Sequence, residues 1–499
     1  MKSKTSVWIA SLASLLLAGI ALWWSPLNQD EGWYLMAAQR VSEGYLPYRD
    51  FAFTQAPLFP LLYQVTTPLV QEMGLLGGRI ITLLLSGLGM GVLLLTIRKL
   101  STKSTYSVGA LILLLLVGLN TTYLQFSTTV KTYALAGFFL SGGIYFLAAG
   151  MKSPSRFLFV LSGMCCGLAT GTRISLVVFA VPIFWHVFRE HRHLGIQASV
   201  CFLAGFSAVC LGLFLPFAIL APEGLWFGIW EFHAGRLTDS PLLTKGAFVL
   251  RWFRSILPVV IGLLALWPYR SSISSLSKTL LLSSALVTIV HLIAPFPYDE
   301  YQTVLLPVLA LVLALEIPKQ FPQLQSHSPA PILLLAILFA LTSPSLEIWF
   351  GGEKDRLWWP AKTQSDLSRL RDTADKLEEL DPQGTLLLTQ DTYLAIEANR
   401  DVPRGLEMGP FSYFPTFSDE KAKTLQVLNQ QSFLSLLQST QATSAAVSGY
   451  GFAIQSPMLT PTPQEELTML EQALRSRFEL TEEVNAFGQA STTLRLYQR

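Results

Sequence analysis

The stretch NQDEGWYLMAAQRVSEGYLPYRDFAFTQAPLFPLLY, residues 28–63, directly follows the first long apolar run of the chain. It opens with two adjacent carboxylates, Asp30 and Glu31, at the mouth of a predicted membrane helix. Aromatic and charged side chains follow them, and no stretch as polar and as aromatic recurs before the last third of the chain. We therefore expect the other apolar segments to form a scaffold that holds this loop in place.

The composition is typical of a protein that crosses a membrane many times. Of the 499 residues, 51% are apolar and only 14% are charged, whereas an ordinary soluble domain carries about 25% charged residues. Apolar runs of roughly 20 residues, long enough to cross about 30 Å of hydrocarbon, recur through the first two thirds of the chain. The net charge of +2 is small and no basic stripe is visible, so nucleic-acid binding is not expected.

The apolar runs predict about eleven membrane helices. They lie near residues 6–27, 78–97, 107–126, 132–149, 157–172, 174–188, 195–221, 247–267, 278–294, 302–317 and 330–343. For the pair 157–172 and 174–188, one long tilted helix is the alternative.

Lysine and arginine residues fall in the loops on alternate sides of these segments, which makes those loops cytoplasmic. The loops 28–77, 222–246 and 295–301 are then extracytoplasmic, as is the chain after about residue 345. This orientation requires the stretch 157–188 to cross twice.

The two longer extracytoplasmic loops have the pattern of segments that lie in the membrane interface. In the first loop, residues 31–41 and 58–70 have helical spacing with one apolar face, which predicts short interfacial helices. In the loop 222–246, we expect four aromatic residues to lie among the lipid headgroups, namely Trp226, Phe227, Trp230 and Phe232.

The chain changes character after about residue 345, where charge rises and helical runs alternate with turns. The run GTLLLTQ at 384–390 is short, apolar and bounded by glycine and aspartate, as a buried strand would be. We therefore predict two domains, a membrane domain over 1–345 and a small extracytoplasmic α/β domain over 346–499.

The acidic pair is the first candidate for chemistry. A carboxylate at the interface can accept a proton from an attacking hydroxyl, and positioned general bases contribute about 10²–10⁴-fold to a rate. The alternative is structural, since Asp30 could cap a helix that begins near Gly32 or simply start a solvated loop.

Three cations at predicted helix ends are candidates for binding a phosphate. Arg173 is the most informative, because a guanidinium flanked by apolar residues is costly in a membrane and suits bidentate contacts to phosphate. Arg79 and Lys131 begin the second and fourth segments. The alternative is a structural ion pair for Arg173 and ordinary anchoring at the interface for Arg79 and Lys131.

Two further loops supply polar residues to the same predicted face. The sequence PFPYDEYQ at 295–302 carries Tyr298, Asp299, Glu300 and Tyr301, while the loop 222–246 carries His233 and Arg236. Together with the first loop they would converge on one face, as an active site requires.

This arrangement resembles the GT-C superfamily of membrane glycosyltransferases, near the bacterial protein O-mannosyltransferases and the lipid A aminoarabinose transferase. The resemblance covers roughly residues 1–345 and is carried by Asp30-Glu31, by GYLPYRDF at 44–51 and by QAPLFPLLY at 55–63, where Gln55 replaces a frequent histidine. Three pattern-level matches add to it, GGRIITLLLSGLGMGVLLLTIRKL at 77–100, GLATGTRISLVVFAVP at 167–182 and PYDEYQTVLLPVLAL at 297–311.

The resemblance implies a transferase in the bacterial cytoplasmic (inner) membrane that takes sugar from a polyprenyl-phosphate donor and works on the extracytoplasmic side. Asp30 would be the base for the acceptor hydroxyl, with Glu31 positioning it or binding the acceptor. Arg173, Lys131 and Arg79 would bind the donor phosphate. The remaining candidates are substrate-binding residues, namely Tyr34, Tyr48, Arg49, Asp50, Gln55, His233, Tyr298, Asp299 and Tyr301.

A lipid monophosphate is a fair leaving group, so fixed cations can hold the developing charge while the carboxylate deprotonates the acceptor, giving single displacement with inversion. The acceptor could be a lipid, a glycan or a protein. No cofactor or metal is predicted, although a divalent ion held by Asp30, Glu31 and waters is left open. The competing functions are a flippase or transporter of lipid-linked glycans and a non-catalytic assembly subunit.

Overall fold

The computed structural model describes residues 2–190, 195–236, 241–325, 363–449, 452 and 462–499. Helices dominate up to residue 325, and helices with a small sheet follow from residue 363. The last predicted membrane segment, 330–343, and the predicted domain boundary at residue 345 lie outside the described residues.

Within the described part of the chain, every predicted membrane segment coincides with a helix or with two consecutive helices. The helices of this part are α1 (Lys2–Trp24), α2 (Gln29–Ser42), α3 (Leu58–Tyr63), α4 (Thr67–Met73), α5 (Leu75–Leu100), α6 (Lys103–Gly118), α7 (Thr121–Phe126), α8 (Thr132–Lys152), α9 (Arg156–Thr172), α10 (Val177–Glu190), α11 (Gly195–Leu220), α12 (Pro222–Trp226), α13 (Phe232–Ala234), α14 (Pro241–Ser255), α15 (Leu257–Leu266), α16 (Ser275–Ile293) and α17 (Leu306–Gln320).

Five of these helices, α1, α5, α8, α11 and α16, are individually long and apolar enough to cross a membrane. A sixth span results if α14 and α15 are taken together, although they are bent by 74° where they meet. Leu12 and Leu15 of α1 are 59% and 65% exposed, which suits side chains that contact lipid rather than water. The chain is therefore an integral membrane protein with several spanning helices.

The stretch 157–188 forms two helices, not one. Helix α9 ends at Thr172, and Arg173 has an extended backbone with φ −139° and ψ 111°. A short 3₁₀ turn over Ile174–Leu176 then leads into α10. This break places Arg173 at a helix end, where its side chain can reach other elements.

The first long loop contains the short helices α2, α3 and α4, as expected from its helical spacing. Helix α2 is buried on nearly all sides, because the C-terminal part of the chain covers the face that we expected to contact headgroups. Apolar exposure is kept further along, at Leu62 (38%) and Val65 (78%). An interfacial position therefore fits the segment from α3 to α4 better than it fits α2.

The aromatic loop after α11 divides between two environments. Trp226 and Trp230 are 57% and 58% exposed, as side chains at a headgroup layer would be. Phe227, in contrast, is buried against Phe414 and Phe417 of the C-terminal part. The expectation that Phe227 lies among headgroups is therefore wrong, and the ring serves protein packing instead. Phe232 likewise packs against Phe414.

Among the described residues from 363 onward, five α-helices combine with a four-stranded sheet of order β1-β2-β4-β3. The pair β1 and β2 is parallel, and the other neighbours are antiparallel. The elements of this part are α18 (Asp366–Leu380), β1 (Leu387–Thr389), α19 (Thr392–Glu397), α20 (Asp419–Thr424), α21 (Gln430–Ser439), β2 (Ser444–Val447), α22 (Gln464–Arg475), β3 (Glu479–Phe487) and β4 (Thr492–Gln498). Strand β3 was not expected, because its sequence ELTEEVNAF is acidic and has no apolar face. The structure explains this composition, since β3 is an exposed strand at the edge of the sheet.

The C-terminal part packs against the first loop through charged contacts. Arg40 of α2 pairs with Asp401 at 2.7 Å and donates to the Val402 carbonyl at 3.1 Å. Glu397 accepts a 2.7 Å hydrogen bond from the Leu75 amide at the start of α5. The first loop is therefore held between the membrane helices and this α/β unit.

Candidate functional site

Asp30, in the first turn of α2, does not cap the helix. The cap is Asn28, whose side chain accepts from the Asp30 amide at 3.1 Å. The Asp30 carboxylate points elsewhere, with Oδ1 accepting from the indole of Trp33 at 3.1 Å and Oδ2 lying 2.9 Å from the Lys131 ammonium. The capping explanation for Asp30 is therefore wrong, and its carboxylate is directed at the cations of other segments.

Lys131 lies between two carboxylates from distant parts of the chain. Its ammonium is 2.9 Å from Asp30 and 2.6 Å from Glu300, and its side chain is only 5% exposed. Burial alone would raise the pKa of Asp30, but the Lys131 charge outweighs that effect and lowers the pKa below its usual value. Asp30 is thus ionised at neutral pH.

Arg173 lies at the same end of the helices, 9% exposed, in a cage of aromatic rings. Its guanidinium is 4.7 Å from the ring centroid of Tyr133 and 4.9 Å from that of Tyr301, and it donates to the Thr132 hydroxyl at 3.0 Å. Within the described part of the chain, no carboxylate lies within ion-pair distance of Arg173. Its charge is therefore available for an anionic ligand.

A second such cation, Arg236, enters from the loop after α13. It donates to the Tyr301 hydroxyl at 3.4 Å, and its guanidinium lies 5.9 Å from the ring centroid of Tyr298. Among the described residues it too has no carboxylate at ion-pair distance, although Asp30 is close enough to interact with it electrostatically. Arg173 and Arg236 therefore share Tyr301 as a common neighbour.

His233 supports the same loop and carries no charge. Its Nε2 donates to the Thr54 carbonyl at 2.8 Å, which fixes the tautomer because a carbonyl oxygen can only accept. Burial, with the nearby Arg236 charge, lowers the pKa of His233 to about 3. The ring therefore links the loop to residues 52–60 and does not exchange protons near neutral pH.

Glu31 and Arg79 are brought together, but away from Asp30 and its cations. Arg79 Nε and Nη2 donate to the two Glu31 carboxylate oxygens at 2.8 and 2.7 Å, and both side chains are fully buried. The remaining donors of Arg79 meet the carbonyls of Leu22, Ser25 and Pro26. With all its N–H groups occupied, Arg79 has none left for a phosphate.

Tyr48 and Gln55 contact each other within the first loop, whereas the Tyr34 hydroxyl hydrogen-bonds Thr132 and interacts with the charges of Asp30, Arg173 and Lys131. The Tyr34 ring stacks on Trp33 with centroids 3.9 Å apart and is 2% exposed. Tyr48, also 2% exposed, adopts a φ of 68° and donates its hydroxyl to the Gln55 carbonyl. These contacts fold the loop 44–55 back on itself.

Three of the predicted charged residues form pairs of their own. Arg49 and Asp50 bind each other at 2.7 Å on the surface of the first loop, and Asp299 binds Arg251 of α14 at 2.9 Å. The structure thus directs these charges away from Asp30 and Arg173.

Two residues of the site, Thr132 and Tyr133, were not among the sequence candidates. Thr132 and Tyr133 open the apolar run of α8 and look like ordinary interfacial residues, so no signal marked them. Glu300 and Arg236 were visible as loop charges, but only the fold shows that Glu300 faces Lys131 and that Arg236 faces Tyr301.

The geometry does not fit a metal shared by the acidic pair. Asp30 and Glu31 are directed at different cations, and their carboxylates do not face each other. Within the described residues, no group of three or more His, Cys, Asp or Glu side chains could hold a metal ion.

No protein-family model and no curated protein matches the chain. Several solved structures match it. ArnT from Cupriavidus metallidurans in the apo state matches at a TM-score of 0.63 and 15% identity, over 99% of this chain and 98% of that one. ArnT bound to undecaprenyl phosphate matches at 0.59 and 13% identity, over 98% and 97%.

Because the ArnT matches extend over nearly the whole of both chains, they cover the membrane helices and the C-terminal α/β unit together. The resemblance seen in the sequence is confirmed at the level of the fold. The chain has the GT-C-like membrane fold that it shares with ArnT.

Proposed function

We propose that this protein is a glycosyltransferase that moves a sugar from a polyprenyl-phosphate donor to an acceptor hydroxyl, with inversion and with Asp30 as general base. One observation carries the proposal. An ionised carboxylate, Asp30, lies at the same end of the helices as Arg173 and Arg236, two buried or half-buried guanidinium groups without a carboxylate partner in the described chain.

The donor phosphate is assigned to Arg173 and Arg236, with the Tyr301 hydroxyl between them. Unpaired buried cations are costly unless they meet an anion, and a guanidinium matches the geometry of a phosphate. Lys131, which the sequence predicted as a phosphate-binding residue, is not assigned to the phosphate, because its ammonium already pairs with Asp30 and Glu300. That the fold matches a protein crystallised with undecaprenyl phosphate supports the lipid class of the donor.

The reaction is a single displacement. The acceptor oxygen attacks the anomeric carbon and loses its proton to the Asp30 carboxylate. The bond between the anomeric carbon and the phosphate oxygen breaks, and polyprenyl phosphate leaves with its negative charge held by Arg173 and Arg236. Fixed cations stabilise such charge strongly in a site that excludes water.

The location follows from the distribution of basic residues. Lys152 donates to the Lys99 carbonyl at 2.7 Å, so two of the lysine-rich loops meet at the end of the helices opposite Asp30. The positive-inside rule makes that end cytoplasmic. We therefore assign the site, and the C-terminal unit described from residue 363 onward, to the extracytoplasmic side of the bacterial inner membrane.

The test is the conversion of Asp30 to Asn in a strain that lacks the wild-type gene. We expect the variant to fold, the lipid-linked sugar donor to accumulate, and transfer to fall by about 10²–10⁴-fold. Mass spectrometry of polyprenyl-phosphate sugars and of envelope glycans reports both quantities. Asp375→Asn, at an exposed position of α18, is the matched control and should behave as wild type. Unchanged glycans in the Asp30→Asn strain would contradict the proposal and favour a transporter or an assembly subunit.

A further inference from the structure

The residue that precedes Asp30 is held by the C-terminal unit. The Gln29 amide donates to the side-chain oxygen of Gln489 at 2.6 Å, and the Gln29 side chain donates to the Gln390 carbonyl at 3.1 Å. Gln29 is 5% exposed, although its partners lie more than 300 residues further along the chain. The C-terminal unit therefore contacts the catalytic turn directly.

The contact from Gln489 does the work of a helix cap. The first N–H groups of a helix have no partner within it and need an acceptor from elsewhere. Asn28 serves the amide of Asp30, and Gln489, from the turn between β3 and β4, serves the amide of Gln29. The start of α2 is thus completed by a residue of the C-terminal unit.

The opposite side of the same turn is fixed by the ion pair of Glu31 with Arg79. Successive side chains of a helix point about 100° apart, so Gln29 and Glu31 are held on either side while Asp30 projects toward Lys131. Gly32 allows α2 to approach α19 closely, because a Cβ atom at this position would collide with the main chain of Tyr393 in α19. The helix backbone beneath Asp30 consequently has little freedom to shift.

We infer that Gln489 is a positioning residue for Asp30, and that the C-terminal unit is a required part of the catalytic site by virtue of this contact. The inference rests on the proposed function. A general base must be held within a fraction of an ångström of its working place, since small displacements are costly to the rate. Gln489 would therefore affect the chemical step and not the binding of the donor.

The experiment compares Gln489→Ala, which removes the acceptor oxygen, with Gln489→Glu, which keeps one at a helix N-terminus where negative charge is favourable. Gln489 lies in an exposed turn, so truncation should leave the fold intact. Gln472→Ala, exposed on α22, is the matched control. The substrate is the lipid extract of the deletion strain, which carries the accumulated donor, and rates are measured against its concentration. Purified undecaprenyl phosphate serves as the probe of the phosphate site.

We expect Gln489→Ala to lower the maximal rate by about tenfold, the effect of one ordinary hydrogen bond expressed in the transition state. The donor KM and the affinity for undecaprenyl phosphate should not change, and Gln489→Glu should restore the rate to within about twofold of wild type. An unchanged rate in Gln489→Ala overturns the inference. So does an equal loss in both variants accompanied by lower thermal stability, because that pattern belongs to a structural residue. Asp30→Asn is assayed beside these variants. An active Asp30→Asn protein would contradict the proposed function itself, whereas an inactive one together with a fully active Gln489→Ala protein would contradict only the role of Gln489.

Discussion

Arg79 donates two hydrogen bonds to the carboxylate of Glu31, and both side chains are fully buried. The same guanidinium binds three carbonyls at the end of α1, while Glu31 also accepts from the amides of Asn28 and Val130. One ion pair therefore joins the end of α1, the start of α2, the start of α5 and the residues before α8. These two residues form a fully buried ion pair beside Asp30.

Breaking this pair should destabilise the protein severely. Removal of one partner leaves an uncompensated buried charge, which costs about 3–5 kcal/mol. We expect Arg79→Met to lower the unfolding temperature in detergent and the yield of monodisperse protein by size-exclusion chromatography. Combining it with Glu31→Leu should recover part of the loss, since apolar replacements of buried pairs are often neutral. An Arg79→Met protein that is fully stable but no longer binds undecaprenyl phosphate would instead return Arg79 to the phosphate site.

The sequence indicated where these charges lie but not how they pair. Asp30, Glu31, Arg79 and Lys131 all stand at predicted helix ends, and the positions of the helices follow from hydropathy. Which cation meets which carboxylate depends on the rotation and packing of four separate segments. Adjacent carboxylates were interpreted as one functional pair, whereas the helical turn sends them to different partners.

Arg173 should determine the affinity for the lipid phosphate. Loss of a hydrogen-bonded charge contact costs about 1.5–3 kcal/mol, so we expect Arg173→Ala to weaken binding of undecaprenyl phosphate by roughly 10- to 100-fold. Arg173→Lys should recover only part of this, because an ammonium cannot make the bidentate contact. Binding can be followed by intrinsic fluorescence in detergent. Arg270→Ala, an exposed arginine between α15 and α16, is the control. Equal binding by Arg173→Ala and wild type would exclude Arg173 from the phosphate site.

The pH dependence of transfer should depend on Lys131. Burial raises the pKa of Asp30, while Lys131, assisted by Arg236, lowers it to below the ordinary value of 3.8. The wild-type rate should therefore persist as the pH falls, until Asp30 is protonated below that value. In Lys131→Met the effect of burial is no longer outweighed, the pKa of Asp30 rises, and the acidic limb of the rate profile should move to higher pH. An acidic limb that stays in place would show that another group controls it.

The convergence of the loops was accessible from the sequence, and the detailed site was not. Polar residues at 28–63, 222–246 and 295–301 were expected on one face. Lys131 joins the first and third of these loops by binding both Asp30 and Glu300, and Arg236 joins the second to the third by its contact with Tyr301. The role of the C-terminal unit could not be foreseen, because the contact between Gln29 and Gln489 spans 460 positions and involves an ordinary exposed glutamine. Side-chain pairs at such separations leave no local pattern.

Gly32 offers a direct check on the packing of α2 against α19. A methyl group at Gly32 would strike the backbone of Tyr393, which cannot move aside as a flexible side chain could. Gly32→Ala should therefore separate the C-terminal unit from α2, increase proteolysis after α2 and abolish transfer, even though alanine favours a helix by up to about 1 kcal/mol over glycine. Gly87→Ala is the matched control, because a Cβ atom at that position of α5 would meet nothing within 4 Å. Limited proteolysis and the transfer assay distinguish the two variants. If Gly32→Ala resists protease and transfers sugar as well as Gly87→Ala does, then α2 and α19 are not in backbone contact, and the support that we assign to Asp30 from the C-terminal unit does not exist.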